Sequence, residues 1–342
     1  MTATSDCVFA GFPAVGFRSS LLECLAVPAL GGKIVSLRSR MTGREWLWQD
    51  HTRAYREARY GDEFAAYDIS GFDECFPTIG PCRYPAEPWQ GIDVPDHGEV
   101  WSVPWAWSRT DDTIDMHVDG ARLPYRLDRT ISAAAGGGIM LRYRLTNHSD
   151  WPLRYLWSAH PLFGVRHGMT IRIPGHPQLL RELRMERNGG PTSELVQLPD
   201  TYLSVHTWPE VATGDGTLQD LSTVDMAHPM VDKLFAGNLD EGRCTLEDPE
   251  ADESLTISFS TAEVPFLGLC FNTGAWPADG RPGEWLAIEP CSGRPDRLDV
   301  AVQRGEHSEI SPQGTREWSL ELATGSCEQR PQRNGVQMNE GL

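Results

Sequence analysis

Three stretches of this 342-residue chain put an ionisable side chain where a reaction could use it. In Trp157-Ser158-Ala159-His160-Pro161-Leu162-Phe163, a histidine ends an apolar run and is followed by proline, which removes a backbone donor and biases His160 toward extended geometry. An imidazole held there suits a general acid near neutral pH; a core histidine satisfied among aromatics would give the same pattern. In Glu284-Trp285-Leu286-Ala287-Ile288-Glu289-Pro290, Glu289 directly follows an apolar strand and directly precedes proline. Burial at a strand end raises a carboxyl pKa and suits a general base, with pairing to Arg294 or Arg297 as the structural alternative. In Val94-Pro95-Asp96-His97-Gly98-Glu99-Val100-Trp101, two acids and a histidine precede a tryptophan-rich strand. Aromatic faces stack on the C–H side of a pyranose and imidazole nitrogens bond its hydroxyls, so a sugar fits this stretch. A metal held by His97, Glu99 and His160 on a cupin-like jelly roll is the competing reading, and the dense His-x-His cluster it needs is missing.

The elements that must hold these groups are strands. Ile139, Leu141, Tyr143 and Leu145 alternate with Arg142, Arg144 and Thr146; Leu255, Ile257 and Phe259 repeat the pattern, as do Trp318, Leu320 and Leu322. Similar β-rich runs cover Lys33–Leu37, Thr113–Val118, Tyr125–Ile131 and Leu153–Trp157, and 33 Gly and 25 Pro punctuate the chain. Thr52–Arg59 and Gln178–Met185 are the best helical segments, and both are short. Without a βα rhythm the expected fold is all-β, a large antiparallel sandwich with few short helices. No linker divides it, so one domain over residues 1–324 is expected, followed by a disordered polar tail over 325–342. Arginines 53, 56 and 59, and 181, 184 and 187, fall at helical spacing that would suit a phosphate or a solvated face. Most of the 12 tryptophans are assigned to packing, with one or two left to line a pocket.

Composition narrows the partners. With 48 acidic against 30 basic residues and a net charge of -18, nucleic acid and anionic membrane are excluded as first partners. No run spans a bilayer and no basic-then-apolar leader opens the chain, which reads as a cytoplasmic, unprocessed protein. Eight scattered cysteines with no zinc spacing read as free buried thiols.

Taken together, Gly31-Gly32-Lys33-Ile34-Val35-Ser36-Leu37, Thr42-Gly43-Arg44-Glu45-Trp46-Leu47-Trp48, His160 to Phe163 and Ile288-Glu289-Pro290 resemble the aldose 1-epimerase (galactose mutarotase-like) family from about Phe9 to Leu322. The resemblance implies a β-supersandwich with a sugar cleft. It implies Glu289 as general base, His160 in its imidazolium form as general acid, and His97 and Asp232 as substrate-binding groups. The family's sugar-binding arginine has no counterpart: Gly71-Phe72-Asp73-Glu74-Cys75-Phe76 stands in its place, so Asp73 or Glu74 is expected at the cleft. The expected activity is anomer interconversion of a small-molecule sugar by a monomer or homodimer, with no cofactor and no metal. A hexose-phosphate epimerase, a non-catalytic carbohydrate-binding module, and a lyase or isomerase acting on an acidic sugar are the alternatives; the phosphate reading needs one of Arg53, Arg56, Arg59, Arg83 or Arg294 at the pocket.

Overall fold

A computed structural model describes residues 2–187, 195–197, 202–213, 216–277 and 283–327, with backbone only for 187 and 195–197. Two antiparallel sheets carry it, one of 14 strands and one of eight. The centre of the larger sheet runs, in spatial order, through Lys33–Ser39, Phe72–Cys75, Ser158–Gly164, Glu284–Cys291, Phe266–Thr273, Met230–Gly237 and Gln178–Arg187. The smaller sheet is built around Glu253–Phe259, Thr315–Gly325, Ile139–Asn147 and Tyr125–Ala133. Strand alternation decides which side chains meet. Phe72, Ala159, Phe163, Leu234, Leu267 and Ile288 point inward onto Leu127, Leu141 and Leu320 of the smaller sheet, forming the main apolar core. Their sequence neighbours Asp73, His160, Lys233 and Glu289 therefore point to the outer face of the large sheet.

The expected strands form, and the expected helices do not. Among the described residues the one α-helix is Leu298–Arg304, closed by Gly305 in the left-handed region. Residues 52–59 have no regular structure, having no apolar stripe to bury. They are tied down instead by Asp50, which accepts from Thr52, and by Arg53 and Arg56, which donate to the carbonyls of 65–67. Gln178–Arg187 is a strand paired with Met230–Gly237, and a bulge between Arg181 and Leu183 inserts one residue. That insertion puts Arg181 and Arg184 on one face three residues apart, which imitates helical spacing. The tryptophan-rich segment is a 3-10 turn, Val100–Ser102, followed by the strand Ala106–Arg109. No described helix is long and apolar enough to cross a membrane. The expected tail lies outside the described residues from 328 onward.

Candidate active site

Three adjacent strands put Asp73, His160 and Glu289 side by side. Asp73 pairs with His160 in register, and the pairings Ser158–Cys291 and Leu162–Ala287 set His160 level with Glu289. All three are buried, and His160 Nε2 lies 4.0 Å from Glu289 Oε1. Across the next strand Gly268 faces Glu289, where a Cβ would lie 3.1 Å from the glutamate Cβ. Gly268 thus leaves the carboxylate room, and Lys233 reaches over to bind Glu289 Oε2 at 2.5 Å.

His97 arrives from a loop. Its backbone is left-handed (φ 58°), and the next residue, Gly98 (φ 76°), lies so close to Phe76 that a Cβ would come within 2.0 Å of the Phe76 carbonyl oxygen. That close approach docks the turn and aims the imidazole. The His97 ring stacks on Phe64 at 3.9 Å and meets His160 edge-on at 4.9 Å, while its Nδ1 lies 3.1 Å from Asp96. Phe64, Tyr67, Ile69 and Trp101 form one apolar wall, with the half-buried Trp48 and Trp276 against it; the same two tryptophans also cover Leu162 and Ala287, next to His160 and Glu289.

Burial pushes the Glu289 carboxyl up, and the Lys233 ammonium opposes the shift. Burial also lowers His160 well below its usual range, reinforced by His97, Lys233 and Lys33, so the resting imidazole is neutral. The imidazolium expected from the resemblance is not the resting form. Lys33 binds Asp68 Oδ2 at 2.6 Å and Asp73 Oδ2 at 3.2 Å. Further out, burial and the nearby Asp296 push Glu182 up to about 8. As for metals, Cys75, His97 and His160 offer donor atoms within 4.8 Å of one another. A tetrahedral zinc site needs donors roughly 3.5 Å apart, so this trio is not a preformed cage.

No protein-family model and no curated protein sequence matches the chain. Solved structures do. A Synechocystis sp. PCC 6803 protein superposes with a TM-score of 0.64 at 17% identity, covering 94% of this chain and 100% of its own. A galactose mutarotase-like protein from Lactobacillus casei gives 0.59 at 18% identity (91% and 100%), and one from Clostridium acetobutylicum 0.62 at 13% (95% and 98%). The chain has the galactose mutarotase-like fold.

On this mutarotase-like frame, His97, His160, Glu289 and Asp73 come together, and two of the expected site residues do not join them. Asp232 lies on the opposite face of its strand from Lys233, fully buried, with both oxygens held by Arg181 and a second bond from Arg184. The arginines read as a phosphate site are therefore engaged with Asp232; the side chain of Arg187 lies outside the described residues. Glu74, next to Asp73, points inward: it accepts from Arg129, Tyr143 and Trp157 between the two sheets. Glu99 is likewise turned away, accepting from Tyr125 and the backbone of Ala121 and Arg122, so it cannot join a metal with His97 and His160. The partner of Glu289 is Lys233, while Arg294 binds Glu306 and Arg297 binds Asp299. Sequence reasoning missed the site's two lysines. A signal was present, because Lys33 and Lys233 are the chain's two lysines, the other basic residues all being arginine. It also missed Trp48, whose place over Leu162 no local pattern announces.

Proposed function

We propose that the protein is an aldose 1-epimerase, interconverting sugar anomers by acid–base ring opening in one domain spanning residues 1–324, as a monomer or homodimer. The observation that carries this reading is the buried Glu289 Oε1, which has no hydrogen-bond partner, beside His160 Nε2. Anomer exchange needs a proton taken from the C1 hydroxyl and one delivered to the ring oxygen. The C1–O5 bond then breaks, C1 becomes an aldehyde, rotation about C1–C2 exposes the other face, and the steps reverse. Glu289 takes the C1 proton and His160 gives one to O5, so the pair carries a single proton through the cycle. His160 is neutral at rest and Glu289 is paired with the Lys233 ammonium; sugar binding draws one proton from solvent onto His160, and that is the proton the pair then carries. The C1 hydroxyl donating to Glu289 stabilises the carboxylate, and O5 accepting from the imidazole stabilises its cation. His97 binds sugar hydroxyls, Asp73 lies beside the acid, and Trp48 and Trp276 offer apolar faces to the pyranose.

The names of the structural relatives from Lactobacillus casei and Clostridium acetobutylicum support this choice. A phosphorylated sugar is less favoured. Arg53 and Arg56 are spent on the carbonyls of 65–67 and Arg294 on Glu306. Arg83, Arg122 and Arg297 line a recess of about 710 Å³ beside Asp96, but four carboxylates share it, Arg83 faces one of them, Asp93, and Arg297 binds Asp299.

The test is anomeric exchange by NMR saturation transfer with neutral, acidic, deoxy and phosphorylated aldoses. The protein should accelerate exchange of at least one neutral sugar, and Glu289→Gln should lower that rate by about 10²- to 10⁴-fold while keeping the melting transition. A variant that retains the full rate removes Glu289 as the base, and no acceleration on any sugar removes the activity.

A further inference from the structure

Arginine is this protein's ordinary cation, and lysine appears in two places only, Lys33 and Lys233. Both are buried, and each contacts a carboxylate that flanks His160. Two other fully buried carboxylates, Asp232 and Glu74, are gripped by arginine. Arg181 binds both oxygens of Asp232 at 2.9 Å, and Arg184 adds a contact of 2.6 Å to Oδ2. Arg129 binds Glu74, whose remaining capacity is taken by Tyr143 and Trp157. Neither acid keeps an unpartnered oxygen.

Glu289 is held differently, by the residue next to Asp232. Lys233 meets Oε2 alone, at 2.5 Å, and Oε1 remains buried with no hydrogen-bond partner, 4.0 Å from His160 Nε2. The chemistry of the two cations explains the choice: a guanidinium fork matches both oxygens of a carboxylate, whereas an ammonium is a point charge that takes one. Asp296 Oδ1 lies 3.6 Å from the same Lys233 ammonium, an ion pair without a hydrogen bond. Lys33 is closest to Asp68 and lies 3.2 Å from Asp73 Oδ2, and neither Asp73 oxygen has a hydrogen-bond partner.

We propose that Lys233 is a positioning residue, which tethers one oxygen of Glu289 and leaves the other free for the sugar hydroxyl, a division of the carboxylate that arginine would not preserve. The inference rests on Glu289 being the general base. It requires lysine specifically, while a purely structural cation would be replaceable by arginine.

Lys233→Arg and Lys233→Met separate these cases. Lys233→Arg keeps the charge and should keep the melting transition, yet kcat should fall by about 10²-fold with little change in KM, because Oε1 becomes engaged. Its pH profile should keep the position of its acid limb. Lys233→Met removes the charge that favours the ionised carboxylate, so its acid limb should move to higher pH. A Lys233→Arg protein with at least half the parental rate overturns the proposal, as does a Lys233→Met profile that does not move. Should Lys233→Met not fold, the contact itself remains readable. Protein labelled with ¹⁵N in lysine gives two side-chain ammonium signals, and Glu289→Gln should shift the one lost in Lys233→Arg and spare the other. Equal shifts or none would sink the pairing. A parental protein inactive on every sugar fails the epimerase reading; an active one indifferent to Lys233→Arg fails this inference alone.

Discussion

Asp73 is a carboxylate in a poor environment. It is fully buried, its ion pair with Lys33 at 3.2 Å falls short of hydrogen-bond geometry, and Asp68 crowds the same lysine. Burial pushes its pKa from an ordinary 3.8 up to about 6, with Lys33 opposing the shift. A folded-state pKa above the unfolded value means that ionising the group works against the fold. The contribution is therefore most favourable below about pH 4 and is lost as pH rises toward 6, a change of about 3 kcal/mol for a shift of this size. Asp73→Asn cannot ionise and should escape that loss. Urea unfolding at pH 4.5 and 6.5 should show the variant gaining stability relative to the parent at the higher pH; parallel behaviour would mean that Asp73 titrates normally. His160 slopes the other way. Its folded pKa is depressed below 6.5, so its contribution is intact above that pH and declines as pH falls, and that part of the profile should be common to both proteins.

Strands supply the site's precision, and Phe266–Thr273 does so by what it lacks. Gly268 faces Glu289, and a methyl there would meet the glutamate Cβ at 3.1 Å and Oε2 at 3.3 Å, tighter than ordinary contact. Gly268→Ala should push the carboxylate by a few tenths of an ångström, lowering the exchange rate by about tenfold, with the melting temperature changed by a few degrees. A full rate would show that Glu289 is not placed by this strand. The same elements explain what the sequence disclosed. Glu289-Pro290 and His160-Pro161 were legible because an ionisable residue after an apolar run must lie on one face of a strand, and both lie on the outer face. The Gln178–Met185 segment was misread because a bulge supplies the three-residue arginine spacing that a helix also supplies. Asp232 and Glu74 were misplaced by a single residue of alternation, since Lys233 and Asp73, their neighbours, hold the outward positions. The meeting of His97, His160 and Glu289 was legible only through resemblance, because long-range strand order leaves no local mark on composition or spacing.

Across the whole molecule, the two sheets are joined by more than apolar contact. Glu74 of the large sheet and Arg129 of the small one are both wholly buried, 3.0 Å apart, with Tyr143 from the small sheet and Trp157 from the loop before His160 completing the carboxylate. Arg129 also donates to the carbonyl of Gly32, beside Lys33, so this core network runs directly beneath the site. A pair of this kind stabilises little relative to an apolar replacement, yet breaking it is expensive because one charge is left without a partner in a low-dielectric interior. Arg129→Met should therefore destabilise the protein by about 3 to 5 kcal/mol, through the orphaned Glu74. Adding Glu74→Gln removes the charge while keeping an acceptor for Tyr143 and Trp157, and the double variant should recover at least half of the loss in chemical denaturation. The same pair of proteins distinguishes a structural Glu74 from one that touches sugar. In the structural case the double variant's lost activity follows its lost folded fraction and KM stays near the parental value. A large rise in KM in a fully folded double variant would instead bring Glu74 back to the cleft.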